Sequence, residues 1–446
     1  MAYLMAGVVS NLNGGLHEHL LSPSAQRVMQ QDAVAWGAGV LLALLGGNLV
    51  RRRGSAPGLR YGFAVALMLL PLVRLLSQST PPGVPLQVAA RPIGVPEHRL
   101  VVVGVEGMDL GVLLGPATDA RFQSLRALRL AGSWGPLVPH RPHLRGSAWT
   151  SLATGTYPDR HGLKSHWGWL LPWQPQAPLR LLPWTPSGSR LILPWGLAER
   201  VRPPSASVPP LWERIRLSGV PTAVFGWPGE WSPEVRFATP TSLDMGSLDA
   251  DVQSSIRWTL ETFPGRGAVV RDALISDAGR VAAAVEALES GADQVWLHLE
   301  ALAAARIELE PLKPRHNRER EVIALALQLM DDQLREVLAA AGDGATVALV
   351  APYGLSPPSS WERLQRLLGA GGDWRTSAET CPPGLLLLKG PGVKQDRRLD
   401  GADLPDLAPT LCYLVGLPVA QYMQGRVVVE AVEPEFLEQH PLRVID

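Results

Sequence analysis

The chain has 446 residues, enough for one large domain and smaller additions. Its 41 basic residues equal its 41 acidic residues in number, so charge does not favour nucleic acid as a partner. The two cysteines, Cys381 and Cys412, exclude a disulfide scaffold and a cysteine-rich metal site. One bridge between them stays open, although Cys412 lies in an apolar run that is typical of a buried side chain.

Two apolar stretches near the N-terminus predict a pair of transmembrane helices. Residues 33–50 carry no charge and have about the minimum length that spans a bilayer. The second stretch, residues 61–76, contains Pro71, and Arg74 near its end, where an arginine can reach the head groups. The loop 51–60 between them contains four arginines. The positive-inside rule therefore places this loop in the cytoplasm and the rest of the chain on the other side of the membrane.

This pattern divides the chain into an N-terminal extracytoplasmic segment, a transmembrane hairpin, a proline-rich linker, one large domain with a cap insertion, and a C-terminal tail. Their bounds are 1–31, 32–77, 78–97, 98–430 with the insertion at 164–200, and 431–446. Two buried helices of a soluble core are the alternative to the hairpin, but three consecutive arginines next to an apolar run disfavour it. The expected location is the bacterial inner membrane, with the large domain in the periplasm.

The large domain begins with an apolar run that predicts a buried parallel strand. It extends from His98 into the sequence VVVGVEG. Helices and strands then alternate, which is the pattern of an α/β domain. The predicted elements are a helix at 122–131, a strand at 132–139, a helix within 265–291, a strand at 294–299, a helix at 319–341, and a strand followed by a turn at 346–355.

The segment from Lys164 to Trp195 is rich in tryptophan and contains no acidic residue. Two interpretations are open: a cap that packs on its own domain, or a surface that contacts a partner or the membrane interface. The tryptophans concerned are Trp167, Trp169, Trp173, Trp184 and Trp195.

Six separated motifs occur in an order that resembles a known family. The first strand carries VVVGVEG, residues 148–162 read AWTSLATGTYPDRHG, and residues 346–355 read TVALVAPYGL. Near the C-terminus stands LAPTLCYLVGLPVAQYMQGR. These resemble motifs of the type I phosphodiesterase/nucleotide pyrophosphatase branch of the alkaline phosphatase superfamily. The resemblance covers residues 98–428 and implies an alkaline-phosphatase-like α/β/α sandwich with a mostly parallel central sheet.

The resemblance also implies a changed active site. In that family a Thr or Ser hydroxyl, activated by one of two zinc-like ions, attacks phosphorus. The position of this nucleophile is occupied by Arg145, whose guanidinium stays protonated and repels metal ions. We therefore expect no metal cofactor. Glu106 occupies one metal-ligand position, where the family has Asp. The next two ligand positions correspond to Ala303 and Ile307 in one register, or to Glu300 and Ala304 in another. The remaining ligand positions are occupied by Pro352, Tyr353 and Thr380.

The family's fold motifs are retained, whereas its nucleophile and metal-ligand side chains are replaced. This combination predicts a catalytically inactive protein. Our leading interpretation is a structural or assembly subunit of a membrane protein complex. Its contacts with other membrane proteins would involve the tryptophans of the cap and Arg74.

Two alternatives stay open. In the first, the former cleft is a sensor that binds an anionic lipid or a phosphate head group. Its binding residues would be Arg145, His143, His161 and Tyr353. In the second, the protein is an active metal-dependent phosphodiesterase or phosphotransferase with a rearranged site. The residues of that rearranged site would be Ser147 or Thr150, with Glu106 and Asp109.

Overall fold

The computed structural model describes most of the large domain. The described residues are 88–115, 121–140, 145–163, 168–171, 174–179, 198–199, 208–228, 265–309, 317–357, 359–360 and 381–446, with scattered positions between 23 and 41 and between 250 and 261. Within these residues, every helix is too short or too polar to cross a membrane. The predicted hairpin, apart from a few positions, lies outside them, as do Arg74, His143, Thr380, Trp167, Trp173, Trp184 and Trp195.

The strands and helices alternate along the chain, as the sequence predicts. The strands are β1 (Leu100–Val105), β2 (Ser133–Val138), β3 (Gly168–Leu171), β4 (Gln174–Leu179), β5 (Ala198–Glu199), β6 (Thr222–Phe225), β7 (Gln294–Leu299), β8 (Thr346–Tyr353), β9 (Pro383–Lys389), β10 (Arg397–Arg398), β11 (Ala402–Asp403), β12 (Val419–Ala420) and β13 (Val444–Ile445). The α-helices are α1 (Leu110–Leu114), α2 (Gln123–Ala131), α3 (Arg145–Thr154), α4 (Pro158–His161), α5 (Leu211–Arg216), α6 (Arg266–Glu289), α7 (Ala301–Leu309), α8 (Asn317–Ala341), α9 (Leu407–Leu414) and α10 (Pro434–Gln439).

Eight strands form the central sheet, in the order β10-β2-β9-β8-β1-β7-β6, with β11 beside β2. The pairs β8-β1, β1-β7 and β7-β6 are parallel, whereas β9 runs antiparallel to both of its neighbours. The prediction of a mostly parallel sheet is therefore confirmed. The carboxyl ends of β8, β1 and β7 lie at the same end of the sheet, where ligand sites of α/β proteins usually form.

Helices cover both faces of this sheet and give three layers. Val101 and Val103 pack on the side of α2, α6 and α8, whereas Leu100 and Val102 pack on the side of α3, α5 and α9. Because both faces of β1 are buried, its sequence is an uninterrupted apolar run instead of an alternating one.

The cap insertion contains a small antiparallel sheet, in which β3 lies between β4 and β5. Trp169 is in the central strand and is paired with Leu179 on one side and Ala198 on the other. At least this tryptophan of the predicted partner surface therefore belongs to a strand.

The segment after residue 430, predicted as a tail, packs on the body of the domain. Its strand β13 pairs in parallel with β12. The Phe436 ring meets the Tyr413 ring edge to face at 6.0 Å, and the Tyr413 hydroxyl donates to the carbonyl of His440. Cys412 is buried beside them in α9, and the two cysteines form no disulfide.

Candidate functional site

The candidate site lies at the carboxyl ends of the three central strands. Glu106 follows β1, Glu300 follows β7, and Tyr353 is the last residue of β8. Arg145 is the first residue of α3. Parallel neighbouring strands end at the same edge, so residues separated by more than 240 positions in sequence converge here.

Arg145 bridges two carboxylates. Its Nη2 atom lies 2.6 Å from Glu106 Oε2 and 3.0 Å from Glu300 Oε2. The guanidinium is half exposed, whereas the Glu106 side chain is largely buried. Arg145, which the sequence predicts to be at the nucleophile position, is therefore a link between two acidic side chains.

Glu106 is charged and tightly bound in this environment. The Tyr353 hydroxyl donates to its Oε1 atom over 3.1 Å, and His298 Nε2 lies 3.5 Å from its Oε2 atom. Burial alone would raise the pKa of Glu106, but His298, the positive charge of Arg145 and the Tyr353 hydroxyl together hold that pKa below its ordinary value. The carboxylate is thus ionised at neutral pH.

The two groups beside Glu106 are neutral. Burial lowers the pKa of His298, against the opposing effect of Glu106, so its imidazole is uncharged at neutral pH. Burial and the nearby Glu106 charge raise the pKa of Tyr353 well above its ordinary value, so it remains a phenol. The guanidinium of Arg145 is therefore the cation that neutralises Glu106.

A second set of ion pairs holds Glu300 from the other side. Arg280 Nη2 lies 2.9 Å from Glu300 Oε1, and Arg280 Nη1 lies 3.3 Å from Asp277 Oδ1. Asp277 also accepts the backbone N–H groups of Glu300 and Ala301 at 2.9 and 2.8 Å, at the beginning of α7. Burial raises the pKa of Asp277 to about 7, against the lowering effect of these donors and of Arg280. We call Arg145, Glu106, Glu300, Arg280 and Asp277 the ion-pair cluster.

An aromatic cluster supports His298 from within the core. The His298 ring lies edge-on to Trp149, with 4.7 Å between the centroids. Gly104 is paired with His298 in the sheet. It allows the Trp149 ring to lie close to the strand, because a Cβ atom at position 104 would be 2.6 Å from that ring. Trp149 contacts Trp227, which in turn contacts Trp296 at 5.0 Å. These tryptophans are buried core residues.

Asp109 makes a separate contact beside the cluster. Its Oδ1 atom accepts the N–H of Val112 and caps α1, and its Oδ2 atom lies 3.0 Å from Arg306 Nη1. Arg306 also donates to the carbonyl of Gly107. Asp109, the second acidic residue of the predicted rearranged site, is therefore engaged as a helix cap and an ion-pair partner.

The structure joins some of the predicted site residues and separates others. Arg145 and Tyr353 meet through Glu106. His161 is fully buried, lies 3.0 Å from the Ser151 hydroxyl, and accepts the N–H of Leu163. It supports the turn after α4 and is not part of the ion-pair cluster.

The hydroxyls considered for a rearranged nucleophile are both buried in α3. Thr150 Oγ1 donates to the carbonyl of Gly146 over 2.7 Å, as helical threonines commonly do. The Ser147 hydroxyl makes no hydrogen bond to the part of the chain that the structure describes. Within the described residues, neither hydroxyl is bonded to a group that would activate it as a nucleophile.

Two residues of the motif after β7 lie in different surroundings. Glu300 places its carboxylate on Arg145, whereas Ala303 packs against Gly107, where a Cβ atom would lie 2.7 Å from Ala303 Cα. The candidate site therefore contains Glu300 and not Ala303.

Sequence reasoning missed three members of the site. Arg280 and Asp277 lie in the middle of α6, and His298 lies inside β7, in segments whose helix or strand pattern carries no chemical motif. The one available signal was the presence of polar side chains at positions that the helical or strand pattern predicts to be buried.

The residues present do not fit the two-metal centre that the resemblance implies. Both carboxylates are bound to arginines, and Ala303, Ile307 and Pro352 offer no ligand side chain. Within the described ranges, no three His, Cys, Asp or Glu side chains are arranged to hold a metal ion. A catalytic zinc ion usually requires three protein ligands.

Comparison with solved structures finds matches at low sequence identity. A putative sulfatase from Bacteroides thetaiotaomicron is 13% identical, with a TM-score of 0.48 over 75% of this chain and 74% of that one. Human ectonucleotide pyrophosphatase/phosphodiesterase 5 is 11% identical, with a TM-score of 0.43 over 72% of this chain and 95% of that one. No curated protein sequence matches the chain.

The sequence itself matches one family profile. Residues 100–406, more than half of the chain, match the family described as type I phosphodiesterase / nucleotide pyrophosphatase. This range begins with β1 and ends just before α9, so it contains the ion-pair cluster and the whole central sheet. The chain therefore belongs to the type I phosphodiesterase / nucleotide pyrophosphatase family of the alkaline phosphatase superfamily.

Proposed function

We propose that this protein is a catalytically inactive member of its family, anchored in a membrane, and that it acts as a structural or assembly subunit of a membrane protein complex. The observation that carries the inactivity is the ion-pair cluster. A guanidinium at the nucleophile position cannot attack phosphorus, and its contacts at 2.6 and 3.0 Å occupy carboxylates that a metal ion would need.

The membrane anchor and the complex are supported by sequence. Two apolar stretches flank an arginine-rich loop, and Pro71 and Arg74 in the second stretch are unfavourable against lipid but tolerable against a protein partner. A fold that retains its core without its catalytic groups is suited to binding, because fold alone supplies no activity.

The anion-sensor alternative receives less support from the site. Arg145 is half exposed at the beginning of a helix, which favours anions. However, two carboxylates already neutralise it, and the ion-pair cluster contains three acidic side chains against two arginines. Inorganic phosphate binding that disappears in Arg145→Ala would favour this alternative.

Among the described residues, neither hydroxyl of the rearranged-enzyme alternative is activated as a nucleophile. The Thr150 hydroxyl donates to a backbone carbonyl within its own helix, and Asp109 is engaged by Arg306. Hydrolysis of a phosphodiester that depends on Ser147 or Thr150 would overturn the proposed inactivity.

The tryptophans of the cap provide the test of the complex. We expect the triple variant Trp167→Ala, Trp169→Ala, Trp173→Ala to lose the proteins that co-purify with the wild type in mild detergent. Aromatic residues dominate interface hot spots, where each truncation costs roughly 2 kcal/mol or more. The measurement is quantitative mass spectrometry of affinity-purified full-length protein.

Glu106→Gln is the matched control, because it changes the ion-pair cluster and leaves the cap intact. It should retain the co-purifying proteins. A wild-type protein that runs as a lone monomer in mild detergent would contradict the subunit role, as would a triple variant that keeps every partner while its circular dichroism spectrum remains native.

A further inference from the structure

The end of the sheet opposite to the ion-pair cluster is where the linker joins the domain. The strands β1, β2, β6, β7 and β8 all begin at this end, since β2 is antiparallel to β9 and β9 is antiparallel to β8. Residues 88–99 lead directly into the first residue of β1. Whatever precedes the domain is therefore connected to this end.

The last part of the predicted linker is bonded to the domain. The Ser218 hydroxyl, just after α5, accepts the N–H groups of Ile93 and Gly94 at 3.1 and 2.9 Å. The buried Arg214 donates through Nε to the carbonyl of Arg91 over 3.0 Å. These contacts hold the chain from residue 91 onward against the amino-terminal end of the sheet.

A fourth hydrogen bond fixes the same segment to the end of another helix. The N–H of Glu97 donates to the carbonyl of Val415, directly after α9, over 2.9 Å. With attachments to two elements, residues 91–97 act as a fixed support for the domain instead of a flexible spacer. A short connection to an upstream anchor would therefore hold this end of the domain toward the anchor.

A group of cations lies at this same end, on the edge of the sheet. Arg397 and Arg398 form the exposed strand β10, paired with the first two residues of β2. Arg129 lies in the last turn of α2, next to the exposed Leu130. The segments 129–134 and 389–400 contain five basic residues against two acidic ones. The basic residues are Arg129, Lys389, Lys394, Arg397 and Arg398, which we call the basic edge.

One aromatic ring positions two of these cations. The guanidinium of Arg129 lies 5.5 Å from the centroid of the Trp134 ring, and that of Arg398 lies 5.8 Å from it. Arg129 is also 3.2 Å from Asp396, whereas no ion pair joins Arg397 or Arg398 to a carboxylate in the described part of the chain. These two arginines are accessible to an anionic partner.

We propose that the basic edge is a docking surface for an anionic lipid bilayer. The basic edge is positively charged, lies next to the exposed Leu130 and is at the end where the linker joins the domain. These features suit a surface of anionic head groups. The proposal rests on the membrane anchor of the proposed function. Docking in this way turns the ion-pair cluster away from the bilayer.

Site-specific quenching tests this orientation on the full-length protein. A fluorophore is attached to Gln395→Cys, in the exposed turn before β10, or to Pro357→Cys, beyond the carboxyl end of β8. The native cysteines are buried and do not compete for the label. Vesicles of phosphatidylcholine, with or without phosphatidylglycerol, carry a nitroxide quencher on their head groups.

We expect strong quenching at position 395 in vesicles that contain phosphatidylglycerol, and weak quenching at position 357. The variant Arg397→Gln, Arg398→Gln should weaken contact up to about thirty-fold, since each basic residue near an anionic surface contributes about 1 kcal/mol. The matched variant Arg397→Lys, Arg398→Lys keeps both charges and should retain the contact. High salt should reduce it.

Equal quenching at positions 395 and 357 would overturn the proposal. The proposal would also fail if quenching at position 395 were the same in the wild type and in the variant Arg397→Gln, Arg398→Gln. An alkaline wash of the vesicles tests the predicted transmembrane anchor separately from docking by the basic edge. If the wash releases the protein, the predicted hairpin is wrong. Phosphatidylglycerol-dependent quenching at position 395 would then still support the basic edge as a peripheral lipid-binding surface.

Discussion

Asp277→Ala should lower the free energy of unfolding by about 3 kcal/mol at pH 6. Asp277 is buried, accepts two backbone N–H groups at the beginning of α7 and lies 3.3 Å from Arg280. Alanine would leave these donors without an acceptor and Arg280 with one acidic side chain beside it instead of two. Urea denaturation of the purified full-length protein, followed by tryptophan fluorescence, measures the effect.

The size of this effect should depend on pH in a defined direction. Burial raises the pKa of Asp277 to about 7 in the folded protein, above its ordinary value of 3.8. The folded protein therefore binds this proton more tightly than the unfolded chain, and the resulting stability is lost as the pH rises from about 4 through 7. The difference between the wild type and Asp277→Ala should be larger at pH 6 than at pH 8.

Asp272→Ala is the matched control on the same helix. Asp272 is 66% exposed and pairs with Arg271 at the surface, so its loss should change stability by less than about 0.5 kcal/mol. Equal effects of the two substitutions would show that the ion-pair cluster does not stabilise the fold.

Arg145→Ala should lower the free energy of unfolding by about 2 kcal/mol, a value reduced from that of a buried ion pair because Arg145 is half exposed. The substitution would leave the charge of Glu106 buried without its cation. Catalytic residues behave differently, since replacing them often leaves stability unchanged or raises it. The sign of the change thus distinguishes a structural arginine from a catalytic one.

Two further variants sharpen this test. Arg335→Ala removes an exposed arginine whose partner is Asp332 in the same helix, and it should have little effect. In the Glu106→Gln background, Arg145→Ala should cost less than in the wild type, because the two residues are coupled. Additive effects of the two substitutions, or a stabilised Arg145→Ala protein, would contradict a structural role for the pair.

Most of the fold could be predicted because apolar runs determine buried strands. The strand predicted at 294–299 is observed at Gln294–Leu299, and the strand of the strand and turn predicted at 346–355 is observed at Thr346–Tyr353. The C-terminal segment was not predicted as part of the body. Its contacts, such as that of Phe436 with Tyr413, join distant parts of the chain and leave no local periodicity.

The site could be predicted only where a motif marked it. The motif resemblance led to Arg145, Glu106 and Tyr353 as site residues, and these three side chains are in contact in the structure. Asp277 and Arg280 occupy a helix without such a pattern, and their partner Glu300 is about twenty residues away in sequence. The sheet and α6 bring these side chains together, so their pairing depends on tertiary structure.

The metal content of the purified full-length protein tests the central claim most directly. The claim is that the ion-pair cluster occupies the place of the family's two-metal centre, with Arg145 bridging Glu106 and Glu300. Elemental mass spectrometry after purification in zinc-supplemented buffer and desalting should find well below one zinc ion per chain, since the carboxylates are paired with arginines and the described residues contain no group of three ligands arranged for an ion. Two tightly held zinc ions per chain would contradict the account.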